Sequence, residues 1–254
     1  LHFAIHIVWR ANVICTYRKS GIARKMTVAY PEFRFIEHLP KDTPICSFVE
    51  LDAWVDSIWE AFYNAKEECA KEGDGILLNK FYSEGSCATI VAAWKTDENE
   101  CRWAAYGDSV VFHYSHKTGL LEHSFTRLAD FSNPPRLVSC KDPLEAEGFN
   151  SGVFHLDNTS EVFAASDALS HYILMMYELS KSTMYAGELM EEQMKQTNNT
   201  GLLQVAEQES FDFEKDILAH LLASAGSEKE FRTLMATLYD KREIEADDYT
   251  LAVL

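Results

Sequence analysis

The sequence predicts an α+β fold with antiparallel strands, and three observations carry that reading. Residues 85–94, 102–106 and 109–114 are short runs of small, branched and aromatic residues parted by polar turns, the pattern of consecutive antiparallel strands. Leu51, Trp54, Val55, Ile58, Trp59 and Phe62 recur at helical spacing, as do Leu169, Tyr172, Ile173 and Met176, so helices buried on one face accompany the strands. The apolar run 162–165 has the length of a buried strand and stops on Ser166-Asp167, directly before the second of those helical patterns.

At 254 residues, 47% of them hydrophobic, the chain can bury a sizeable core as one large domain. A formal charge of −17 argues against general nucleic-acid binding, which needs basic surface to displace counterions. The first 31 residues are the exception, with Arg10, Arg18, Lys19, Arg24 and Lys25 and no acid. They read as an anion-binding edge or as a solvated basic face. The six cysteines form no Cys-x-x-Cys pair and several lie in apolar runs, which indicates a reducing, cytoplasmic setting. Residues 1–9 are apolar but broken by His2 and His6 and ended by Arg10, so neither a signal peptide nor a membrane partner is expected. The chain starts on Leu1 in an apparent mid-strand, and further sequence upstream is expected.

In chain order, a strand over 3–13 precedes a helical pattern over 20–39 that Pro31 should kink or split. The next helix carries the Leu51 to Phe62 stripe, read as core, and Gly73-Asp74-Gly75 ends it. The antiparallel meander comes after it, with Gly107-Asp108 at a turn between two of its strands. Residues 126–160 are rich in loop breakers such as Asn133-Pro134-Pro135. The helix after Asp167 runs to about residue 179. A polar insertion at about 180–210 then lies outside the core, with 196–201 as its least structured part. Helical patterns over 211–225 and 228–239 lead to a closing strand over 251–254.

Asp167 thus stands on a strand-to-helix corner, where two readings are open. Ser166 or Asp167 caps the helix, the usual work of these residues, or Asp167 is aimed at a site. A second acidic strand edge, Asp247-Asp248, opens the closing strand and favours a site, because carboxylates distant in sequence are how a sheet protein gathers metal ligands. Two like charges about 4 Å apart repel by roughly 4 kcal/mol at the effective dielectric of a protein surface, so converging carboxylates require a cation. Oxygen-only ligands select Mg²⁺, Mn²⁺ or Ca²⁺ over zinc. His113, His116 and His123 do not suggest zinc, since strand positions three apart face opposite sides.

Four motifs occur in an order that resembles the metal-dependent serine/threonine phosphatases of the PP2C or PPM type, especially their bacterial branch. They are Gly85-Ser86-x-Ala88-Thr89, Gly107-Asp108-Ser109, Ser166-Asp167-Ala168-Leu169 and Asp247-Asp248-Tyr249-Thr250, and the resemblance covers about residues 20–254. It implies a four-layer α-β-β-α sandwich of two antiparallel sheets flanked by helix pairs, as a single domain over 1–254. It further implies two Mg²⁺ or Mn²⁺ ions at one edge and a weaker third. Asp167 and Asp247 fall on the family's ligands and Asp108 on an accessory ligand of the third ion. The family's bridging aspartate and the glycine after it fall nearest Asn12 and Val13, and its further aspartate falls on His171. Arg10 or Arg18 is expected to anchor the substrate phosphate.

The implied activity is hydrolysis of phosphoserine or phosphothreonine in proteins by water activated between the two ions. No side-chain nucleophile is required, and the partner is a phosphoprotein substrate or a signalling protein. The alternative is a catalytically impaired phosphatase fold that serves as a binding or regulatory module, because the Asn12 amide bridges two hard cations poorly.

Overall fold

The structure, a computed structural model, describes residues 38–40, 42–73, 75–196, 201–208, 210–244, 247 and 249–254, together with the backbone of 4–12. The helical pattern expected over 20–39, Arg18, Val13 and Asp248, and the side chains of Arg10 and Asn12, lie outside these residues.

Two antiparallel sheets form the centre. In the first, β1 (Ala4–Asn12), β2 (Cys87–Lys95), β3 (Glu100–Tyr106) and β7 (Phe149–His155) lie side by side in that order, and the short β6 (Val138–Ser139) pairs with β2. In the second, the order is β5 (Leu120–His123), β4 (Val110–Ser115), β8 (Ser160–Ala165) and β9 (Leu251–Val253). Three layers of buried side chains show how these sheets stack. Val91, Ala93 and Trp103 of the first sheet meet Val111, Val162 and Ala164 of the second in one apolar cluster. The alternate residues Ile90, Ala92 and Trp94 face the other way, against α1 (Phe48–Glu72). Phe112, Phe163 and Ala165 face α3 (Asp167–Ser180) on the opposite outside. Each central strand is therefore covered on both faces, which is why it reads as a nearly unbroken apolar run. The fold is the four-layer α-β-β-α sandwich.

The helices form where the sequence supplies both a stripe and a stop. Ser47 caps α1 by accepting from the Glu50 amide at 3.3 Å, while Glu50 reaches back to the Cys46 amide at 2.7 Å. Leu51, Trp54, Val55, Ile58 and Phe62 of α1 are buried. Trp59 is not core as expected: it is 39% exposed and stacks on Tyr63 at 5.4 Å. Trp54 and Trp94 donate their indole N–H groups to the His38 and Pro40 carbonyls at 2.9 and 2.8 Å, tying residues 38–40 to this layer.

Four expectations need correction. Gly73 ends α1 as expected, but a second helix that was not expected, α2 (Gly75–Glu84), starts directly after it and delays the change of period from residue 81 to the end of that helix. The loop-rich span 126–160 contains β7, paired along its length with β3. Residues 180–210 are not outside the core: α4 (Ala186–Gln196) and α5 (Leu202–Ala206) bury Leu189, Leu202, Leu203 and Ala206 against α3. The pattern over 211–225 splits into a wide π-helical turn, Phe213–Leu218, and α6 (Ala219–Ser224), with α7 (Glu228–Asp240) after them. No helix among the described residues is long and apolar enough to cross a membrane.

Candidate active site at one end of the second sheet

The connection from β3 to β4 is not the hairpin turn that alternation suggests. β3 belongs to the first sheet and β4 to the second, so Gly107 and Asp108 cross from one to the other. Gly107 has φ of +103°, and a Cβ placed there would meet Thr89 Cγ2 at 2.5 Å. Beside it, the Thr89 and Ser109 hydroxyls share a buried hydrogen bond of 2.7 Å that ties β2 to the start of β4. Gly107→Ala is expected to destabilise the protein by about 1–3 kcal/mol from backbone strain, before any clash is counted. Urea unfolding of the pair of proteins measures it.

Asp167 is the first residue of α3, placed by the end of β8. Ser166 sits at the cap position but its hydroxyl makes no capping bond. It accepts from the Thr250 amide at 3.2 Å, and the Ser166 amide donates to the Thr250 carbonyl at 3.2 Å. Those two bonds extend the β8–β9 pairing, in which Ala165 faces Leu251. They hold the segment carrying Asp247 next to the corner carrying Asp167.

Asp108, Asp167 and Asp247 accordingly line one cleft of about 210 Å³, together with His171, Glu192 and Lys195. Burial, then the charges of Asp167 and Asp247, push the Asp108 carboxyl up to about 7, against a hydrogen bond from its own amide. His171 lies one helical turn beyond Asp167. Its Nε2 is 2.6 Å from Glu192 Oε1, and its ring meets Phe131 edge-on at 5.6 Å. Tyr172, next along α3, donates its hydroxyl to Glu243 Oε2 at 3.2 Å. Lys195 donates to the Ala129 carbonyl at 2.6 Å at the rim of the cleft.

The chain is similar to bacterial serine/threonine phosphatases of known structure. Against Stp1 from Staphylococcus aureus it is 12% identical, covering 84% of this chain and 70% of that one, with a TM-score of 0.38. Against the S. agalactiae serine/threonine phosphatase it is 16% identical over 84% and 74%, again with a TM-score of 0.38. The Mycobacterium tuberculosis phosphatase PstP/Ppp is 17% identical over 60% and 67%, with a TM-score of 0.34. No family model matches the chain, and no curated protein matches it in sequence.

Of the residues singled out in the sequence, the cleft gathers Asp108, Asp167, Asp247 and His171. Among the described residues, however, no group of three or more His, Cys, Asp or Glu side chains is drawn close enough to hold a metal ion as it stands. Asn12 ends β1 opposite Cys87 of β2, in the first sheet, and only its backbone is described. His113 is a structural residue: it is buried, with Nδ1 2.8 Å from Glu122 and Nε2 2.8 Å from the Ser160 hydroxyl. Glu192 and Lys195 escape a reading of the sequence because the polar run that holds them carries no strand or motif signal. Only the weak amphipathic spacing of Leu189 and Glu192 on α4 marks the face that packs inward.

Proposed function

We propose that this chain is a PP2C-type phosphomonoesterase that uses Mg²⁺ or Mn²⁺ to remove phosphate from phosphoserine or phosphothreonine in proteins. The observation that carries the reading is the convergence of Asp108, Asp167 and Asp247, far apart in sequence, on one cleft where burial and mutual repulsion raise the Asp108 carboxyl to about 7. The donor chemistry fits: carboxylate oxygens suit hard divalent cations. When bound, such ions would supply Lewis acidity for water and for the phosphoryl oxygens.

The protein's own residues would do the rest. Asp167 and Asp247 would hold the ions, and Asp108, losing its proton to an approaching cation, would join them. Ser166, through its two bonds to Thr250, would keep the Asp167 and Asp247 segments in register. Lys195 would present a donor at the same cleft for phosphate oxygens, His171, engaged by Glu192, would help to shape that wall, and Arg10 and Arg18 remain the proposed anchors from the chain's basic start.

A second reading, a phosphatase fold that binds without hydrolysing, is favoured by a specific observation, that the described carboxylates stop short of a chelating group, and agrees with the resemblance, which puts the bridging position nearest the Asn12 amide. Metal binding tests the first reading. Millimolar Mn²⁺ is expected to raise the melting temperature, since a ligand bound only by the folded state contributes about 2.7 kcal/mol at a hundred times its Kd. Asp167→Ala combined with Asp247→Ala should abolish the shift. Melting of the wild type that is indifferent to both Mn²⁺ and Mg²⁺ favours the binding module instead.

A further inference from the structure

Helix α4 meets α3 across a cluster of acids. Glu178 of α3 is 4% exposed, and its Oε2 is buried without a hydrogen-bond partner among the described residues. From α4, Glu188 brings a second buried oxygen in the same condition, and Glu192, 3% exposed, is engaged by His171. Burial, then the charges of Glu188 and Glu192, push the Glu178 carboxyl up to about 8. The Tyr185 phenol, itself raised chiefly by burial and then by Tyr177 and Glu178, is a further titratable group beside it.

The cations in this region have other partners. Lys181 donates to the Gly119 carbonyl at 2.6 Å and the Tyr177 hydroxyl at 2.8 Å. Lys195 is bonded to the Ala129 carbonyl and lies 3.4 Å from Glu191. Arg127 is shared between Asp130 and Glu191. On the π-helical turn that also packs on α3, Glu214 is paired with His116 and Lys215 with Asp212. Among the described residues the buried Glu178 Oε2 has neither a counter-charge nor a donor, a setting that strongly disfavours the ionised form, so Glu178 is accommodated as the neutral acid. Helix α4 is also the element that brings Glu192 and Lys195 to the cleft.

We propose that the contact between α3 and α4 is a proton-operated latch on this wall of the cleft: α4 stays docked while Glu178 holds its proton and loosens as that proton is lost. The latch does not depend on phosphatase chemistry and stands or falls apart from it. Once undocked, Glu178 returns to the ordinary carboxyl value of 4.5. Between that pH and about 8, the docked form retains a proton that the undocked form has released. Rising pH therefore favours undocking, by up to about tenfold in the opening constant per pH unit, and the effect levels off above the docked value.

Hydrogen exchange of the whole chain at pH 5.5 and 7.5, corrected for the intrinsic pH dependence of exchange, tests it. The α4 amides are expected to open about tenfold or more further at the higher pH, relative to the amides of β8. Glu178→Gln, neutral and of the same shape, should remove that difference and keep α4 protected at both values. Glu188→Gln should bring the levelling to lower pH, because it removes the facing charge that acts more strongly on Glu178. Equal α4 protection at both values in the wild type overturns the latch, as does a pH difference in Glu178→Gln as large as the wild type's. Should Glu178→Gln fail to fold, the wild-type profile and its change in Glu188→Gln decide.

Discussion

Changing Asn12 to aspartate together with Val13 to glycine is expected to raise Mn²⁺-dependent hydrolysis of a small aryl phosphate about a hundredfold. The backbone of Asn12 ends β1 opposite Cys87, at the start of β2, directly after Gly85-Ser86. On the bridging role proposed for this position, a carboxylate would add an anionic oxygen to the metal ligands, and glycine would leave the neighbouring carbonyl unobstructed. One charge added to a metal cluster is worth on the order of several kcal/mol in the transition state, and each 1.4 kcal/mol or so is a factor of ten in rate. Steady-state rates of parent and variant, with and without Mn²⁺, measure the gain. Vigorous parental activity that vanishes in Asp167→Ala would instead mean that another group does the bridging. Silence in both proteins, with Mn²⁺ still bound, would leave the scaffold role as the better account.

Phe163→Ala is expected to cost about 3–5 kcal/mol, the range for removing a large buried ring from a core that relaxes only in part. Phe163 is completely buried and stacks on Phe112 at a centroid distance of 5.1 Å, in the layer between the second sheet and α3. In a protein of this size the melting temperature should fall on the order of 10 °C. Since β8 delivers Asp167 directly, Mn²⁺ binding should weaken along with stability. Thermal unfolding followed by circular dichroism measures the first effect and Mn²⁺ titration the second. A loss below about 1 kcal/mol would contradict the packing of this layer.

The Asp167 corner was legible because two different periodicities meet there: the apolar run 162–165 fills a strand covered on both faces, and the helical stripe starts with no linker. The closing strand was legible for a similar reason, being short, apolar and set off by acids. The sheet change at Gly107 was not, because alternation along β3 and β4 looks the same whether the next strand pairs in its own sheet or in the facing one. Helix α2 was hidden behind Gly73-Asp74-Gly75, a sequence that stops one helix and is equally compatible with a strand, a loop or a second helix beyond it. The acids and the lysine of α4 sit in a run whose polarity resembles a solvated loop. Its few apolar residues, Leu189, Leu202 and Leu203, become core only through contacts far away in the chain.

Because Asp108 crosses from β3 of the first sheet to β4 of the second while Asp167 follows β8 of the second, the layer that separates the sheets bears on the distance between them. The two sheets work as the jaws of a calliper, and side chains such as Ala93, Val111 and Ala164 are the shim that sets the opening. One methylene more or less in that shim, well away from the cleft, would move one jaw against the other by a fraction of an ångström. The narrow range of ligand distances that hard cations accept would turn that small displacement into a change of affinity. Alanine in the central strands would thus be a dimension of the proposed site as much as a filler of the core.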